Sequence, residues 1–209
     1  MIVKKEGFLK KENKSVVNKL PLNVQSVALV GLLTAMLSGA KMALAAIPNV
    51  EIVTLLCALF GFVFGWCGVL SSVIFCAIEA VLWGFGTWVI SYFLYWPFLC
   101  LVFSLLGVRR HRPGRVFPTV LAVLLTVWFG VLTSLIEVGL LSGAFDRFFY
   151  RFGIYYARGI AFYVTQILTN AVLFPLVFPH LASMLSLLRD KTFRKRKSPP
   201  RNVKELSQK

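Results

Sequence analysis

Charged residues in this chain concentrate at its two ends and in one internal break, and most of the sequence between them is apolar. Residues 27–47 are apolar apart from Lys41, and residues 52–108 carry a single charge, Glu79, over 57 positions. A helix at a water boundary shows an apolar stripe; one that is apolar all round is buried or lies in lipid. A membrane crossing needs about 20 such residues. Two glycine-bearing breaks, Gly65-Trp66-Cys67-Gly68 and Gly84-Phe85-Gly86-Thr87, divide the long run. The pattern predicts helices over 27–47, 48–64, 67–83, 88–107, 118–142 and 159–187. An irregular stretch leads up to Arg158, and a kink is expected near Pro175 and Pro179.

Composition agrees with that pattern. Hydrophobic residues make up 58% of the 209 positions and the mean hydropathy is +0.77, outside the range of an ordinary soluble domain. The formal net charge of +15 is gathered in three places. Lys4, Lys5, Lys10, Lys11, Lys14 and Lys19 precede Ser26; Arg109, Arg110, Arg112 and Arg115 fill the internal break; nine more follow Leu188, densest in Arg194-Lys195-Arg196-Lys197. Basic residues are retained on the cytoplasmic side during insertion. Two helices in 48–83, rather than one, put all three segments on that side. The expectation is an all-α integral membrane protein, a six-transmembrane-helix bundle with both termini cytoplasmic. Residues 1–26 would be a basic cytoplasmic tail, 27–188 the membrane domain and 189–209 a second basic tail. The charge then serves topology and attraction to the lipid bilayer, not nucleic acid. Ala43-Leu44-Ala45 resembles a signal-peptide cleavage site, but the 26-residue polar lead is long for one and Lys41 would interrupt it.

Four basic residues break the charge rule: Lys41, Arg147, Arg151 and Arg158. In the six-span topology they lie toward the outer end of the bundle. So do Glu51 in the first outer connection, Glu79 near the end of helix three and Glu137 near the end of helix five. Asp146 falls in the last outer connection. A charge within a span costs roughly 2.5–3.5 kcal/mol, so it faces the interior or a cavity and pairs there. The bland account is snorkelling by Lys41 and structural pairing by the acids. A polar cup for a small water-soluble solute explains the whole set more simply, with Asn49 beside Glu51 and with Trp88 and Tyr92 among the aromatic residues of the outer connections. Those rings also suit an interfacial belt, and the arginines also suit lipid phosphate. The cysteines (Cys57, Cys67, Cys76, Cys100) form no C-x-x-C pair, and His111 and His180 stand away from any carboxylate cluster. Neither a metal site nor a cofactor is expected.

The first span carries Gly31, Ala35, Gly39 and Ala43, a small residue at every fourth position on one face. Such a face lets two backbones approach closely in lipid, either inside the bundle or against a second membrane protein. This stripe, the connection Ile47-Pro48-Asn49-Val50-Glu51, short second and third helices and a basic loop between helices four and five together resemble the substrate-binding S component of energy-coupling factor vitamin transporters. The resemblance covers about residues 27–188 and rests mainly on architecture. It implies a multi-pass subunit of a bacterial or archaeal cell membrane that captures a vitamin or vitamin precursor at the extracellular face. It implies docking through the helix-one stripe to a transmembrane coupling subunit joined to two ATPase subunits. The family's Ala-x-x-x-Ala reads Ala35-x-x-x-Gly39 here, which keeps the small surface and changes its identity.

No G-x-x-x-x-G-K-[ST] loop is present, so ATP hydrolysis would come from partner subunits and the chain itself is not expected to be an enzyme. The competing readings are an intramembrane enzyme acting on a lipid or peptide and a membrane scaffold. The first has one motif, Ser38-Gly39-Ala40-Lys41, whose spacing places a hydroxyl beside an amine.

Overall fold

The computed structural model describes residues 24–45, 52–109, 114–141 and 147–194. These residues form helices and no strand: α1 (Val24–Ala43), α2 (Val53–Phe64), α3 (Trp66–Trp83), α4 (Thr87–Arg109), α5 (Val116–Ile136) continued by a π-helical turn (Glu137–Leu141), and α6 (Phe148–Arg194). Five of them are long and apolar enough to cross a membrane. Their outer surface agrees: Leu32, Val81, Leu105, Leu124, Leu168 and Leu176 are all more than half exposed, a pattern a water-facing surface rarely shows. The chain is a multi-pass helical membrane protein.

The sixth helix, α2, is different. Its 12 residues span about 18 Å, short of the hydrocarbon thickness, and almost all of them are buried. It is the hub of the core, and close approach to α4 makes that possible. A Cβ on Gly61 would lie 2.2 Å from the Cys100 carbonyl oxygen, and one on Gly107 equally close to that of Phe62. Cys100 Sγ also donates to the Cys57 carbonyl at 3.1 Å. The chain leaves α2 through Gly65 at φ 59°, a backbone region that other residues rarely enter. Gly84, at φ 84°, ends α3 in the same way. Both breaks expected from the sequence are therefore real.

Side-chain pairings give the helix directions. Thr34 donates to the Ser71 carbonyl and Lys41 pairs with Glu79, so α1 and α3 run parallel. Tyr95 packs on Phe129 while Thr87 meets Glu137, so α4 and α5 run antiparallel. Asn170 meets Thr126 and Tyr155 meets Glu137, so α5 and α6 are antiparallel as well. The start of α1, the Gly65 turn, the end of α4 and the start of α5 consequently gather at one end of the bundle. There Arg189 donates to the Val63 carbonyl at 2.7 Å, placing a cation at the C-terminus of α2, where the helix dipole favours it.

The boundaries differ from expectation in several places: α1 starts at Val24 and not at 27, and α2 at Val53 and not at 48. α1 ends at Ala43 and not at 47. α6 begins at Phe148 and not at 159, and it continues past 187 to Arg194 through both Pro175 and Pro179. The segment before 159 looks irregular in sequence because Arg151, Gly153 and Arg158 interrupt its apolar pattern. It is helical because Phe148, Phe152 and Tyr156 stack at four-residue spacing (6.4 and 6.0 Å between centroids), and Tyr156 continues the row to Tyr163.

Candidate functional site

Two polar clusters lie at the opposite end of the bundle, and both are anchored on the first turns of α4. The first is closed. Lys41 Nζ of α1 lies 2.5 Å from Glu79 Oε2 of α3, with the lysine side chain 23% exposed and the glutamate not exposed at all. Lys41 also donates to the Tyr92 hydroxyl at 3.3 Å and sits 4.6 Å above that ring and 5.8 Å from the centre of Phe75. Tyr92 is held by its neighbours: Trp88 edge-on at 5.0 Å, Trp96 at 5.8 Å, and its own carbonyl accepting from Cys76 Sγ. A buried carboxylate is tolerated only when paired, and Lys41 supplies that pairing. Glu79 Oε1 and the indole nitrogen of Trp96 are buried without a hydrogen-bond partner.

The second cluster is open. The π-helical turn that extends α5 begins at Glu137, whose amide donates back to the Thr133 and Ser134 carbonyls. Such turns re-aim side chains and recur at functional sites. Here Glu137 Oε1 accepts from the Thr87 hydroxyl of α4, and Oε2 accepts a long bond, 3.4 Å, from Tyr155 of α6. Glu137 lines a cleft of about 420 Å³ with Thr133, Ser134, Tyr155, Arg158, Gly159 and Tyr163. That volume lies within the usual range of small-molecule sites, roughly 300–1,000 Å³. Tyr163 forms part of the wall because two glycines make room for it. A Cβ on Gly130 would lie 3.0 Å from its ring, and one on Gly159 only 2.5 Å. In that slot its hydroxyl meets Thr133 Oγ1 at 3.1 Å. Below the cleft the α5–α6 seam stays polar: Asn170 donates to Thr126 Oγ1 at 2.9 Å, and Gln166 is buried one turn above it.

Among the residues expected at a site, Lys41, Glu79, Trp88 and Tyr92 come together in the closed cluster, and Glu137 and Arg158 line the open cleft. Arg147 and Arg151 are exposed, Arg147 at a positive φ of 55°, and neither lines that cleft. Asn49, Glu51 and Asp146 lie outside the described residues. The sequence reading did not single out Thr87, Thr133, Tyr155 or Tyr163 as site residues. The usable signal for three of them was hydroxyl groups near the predicted outer ends of helices four and five and in the connection before helix six.

The small-residue face of α1 points away from the bundle. Val30, Leu33, Thr34 and Leu37 form the buried face of that helix, while Gly31, Ala35, Gly39 and Ala43 are exposed. A Cβ on Gly31 or Gly39 would meet nothing within 4 Å. Ser38 Oγ is buried without a hydrogen-bond partner. Among the described residues no three His, Cys, Asp or Glu side chains converge as metal ligands would. No protein-family model, no curated protein and no solved structure matches this chain.

Proposed function

We propose that this protein is the membrane-embedded substrate-binding subunit of an ATP-driven uptake transporter for a small water-soluble micronutrient, a vitamin or its precursor. In this reading the chain passes six times through a bacterial or archaeal cell membrane, the short buried α2 belonging to one of the passes, with both basic tails and the 109–115 loop in the cytoplasm. The cleft beside Glu137 then opens to the outside and captures the solute. The outward face of α1 docks on a transmembrane coupling subunit, and two ATPase subunits bound to that partner drive release inward.

The observation that carries the reading is the uncovered ridge of Gly31, Ala35, Gly39 and Ala43. Small residues inside a membrane bundle serve close helix contact. A ridge of four that stays exposed among the described residues, with open space over Gly31 and Gly39, has its use against another protein. The same helix turns Lys41 inward to Glu79, so its two faces serve separate ends. The intramembrane-enzyme reading needs Lys41 beside Ser38, whereas its ammonium group engages Glu79 and Tyr92. A scaffold role leaves the cleft without a purpose.

Leucine at the ridge tests the proposal. Ala35→Leu and Gly39→Leu should abolish uptake in cells by holding the partner helices apart, while each purified variant still carries the small molecule that mass spectrometry detects in the parent protein. Loss of ligand together with uptake would make the ridge a folding feature and remove the docking claim.

A further inference from the structure

The two clusters differ in one respect that bears on the ligand. Lys41 and Glu79 neutralise each other, so that cluster has no charge left to offer. Glu137 and Arg158 line one cleft, yet no ion pair within 4 Å joins either of them to another described residue. Among the described residues Glu137 accepts only from the neutral hydroxyls of Thr87 and Tyr155. These bonds orient the carboxylate, and no described cation pairs with it. A carboxylate and a guanidinium thus line the same cleft, one on the π-helical turn after α5 and one on α6, together with the side chains of Thr133, Ser134, Tyr155 and Tyr163.

We propose that the cleft takes a small zwitterion: a protonated nitrogen held by Glu137 and an anionic group, carboxylate or phosphate, held by Arg158. This rests on the transport reading above and names the class of its substrate. The reason is electrostatic. With Glu137 half-buried and Arg158 exposed, each charge still attracts its opposite and repels its like across the cleft, more weakly at the guanidinium than at the carboxylate. A monoanion would pair with Arg158 and face the Glu137 carboxylate; a monocation would pair with Glu137 and face the guanidinium. Only a ligand carrying both signs satisfies both walls, so the repulsive member of each pairing supplies selectivity against singly charged analogues. The planar guanidinium suits bidentate recognition of carboxylate or phosphate. Tyr155 and Tyr163 add ring faces for an apolar linker or a ring.

The test uses three matched sets of probes on the full-length protein in detergent micelles, read by thermal unfolding. The sets are tryptophan with tryptamine and indole-3-propionate, γ-aminobutyrate with butylamine and butyrate, and phosphoethanolamine with ethanolamine and ethyl phosphate. In at least one set the zwitterion should raise the unfolding temperature and neither analogue should match it. Glu137→Gln should weaken that zwitterion roughly ten- to a hundredfold, the usual loss for one charged hydrogen bond, and shift preference to the monoanion. Arg158→Gln should shift it to the monocation. A singly charged member that stabilises as well as its zwitterion overturns the proposal and leaves the transport reading intact. If no set responds, the proposal falls; a small molecule still recovered from the purified protein would then keep the transport reading, and its absence would remove both. Nanodiscs with and without phosphatidylethanolamine separate a free ligand from a headgroup of the same chemistry. Stabilisation by that lipid alone overturns the soluble form.

Discussion

Cutting the Lys41–Glu79 pair from each side in turn should give unequal costs. Lys41→Met leaves the carboxylate of Glu79 fully buried with no other cation paired to it among the described residues. Removing one partner of a buried pair costs about 3–5 kcal/mol, because the charge left behind has neither water nor a partner. Glu79→Gln leaves Lys41 in a better position. Its side chain is 23% exposed, it keeps the Tyr92 hydroxyl and ring face, and its long stem can carry the ammonium group outward. That change should cost about 1.5 kcal/mol, the lower end for a hydrogen bond to a charged group. Lys41→Met combined with Glu79→Gln leaves no bare charge and should be less harmful than Lys41→Met alone. The resulting coupling is about 2–3 kcal/mol, the upper part of the range for residues in contact. Equilibrium unfolding in mixed micelles, followed by tryptophan fluorescence and far-ultraviolet circular dichroism, measures all four corners of the cycle. A Lys41→Met cost under about 1 kcal/mol, or strict additivity, would show that the pair does not hold α1 against α3.

Two further expectations follow from the packing and the charge pattern. Gly61→Ala and Gly107→Ala drive a methyl group into a backbone carbonyl, 2.2 Å away in each case, and should destabilise at the upper end of the 1–3 kcal/mol typical of overpacking or beyond. Gly31→Ala and Gly39→Ala add a methyl group to open space on a helix and should be neutral or stabilising by up to about 1 kcal/mol; the same unfolding assay compares the four, and equal effects would contradict the tight α2–α4 contact. Single cysteines at Ser15, Gly114 and Ser198, in a background without the native cysteines, should resist an impermeant thiol reagent in intact cells. External labelling at Gly114 would refute the six-span topology.

Length, apolar continuity and the placement of Lys and Arg are local properties, and the sequence alone determined what depends on them. A helical membrane protein follows from apolar runs too long and too uncharged for water. The breaks at Gly65 and Gly84 follow because each position needs a positive φ. Partners distant in sequence are another matter. The pairing of Lys41 with Glu79 exists because α1 and α3 run parallel in register, and nothing near either residue encodes that. The early start of α6 comes from an aromatic stack whose rows match only once the segment is coiled. Whether the small-residue stripe faced inward or outward was open until the buried face of α1 was seen to be Val30, Leu33, Thr34 and Leu37. Of the acids and bases that the sequence gathers at one end, Lys41 and Glu79 become a self-neutralised pair and Glu137 and Arg158 line an open cleft, a sorting made only by tertiary structure. Charge is carried by each residue, but whether it is compensated depends on distances that packing alone sets.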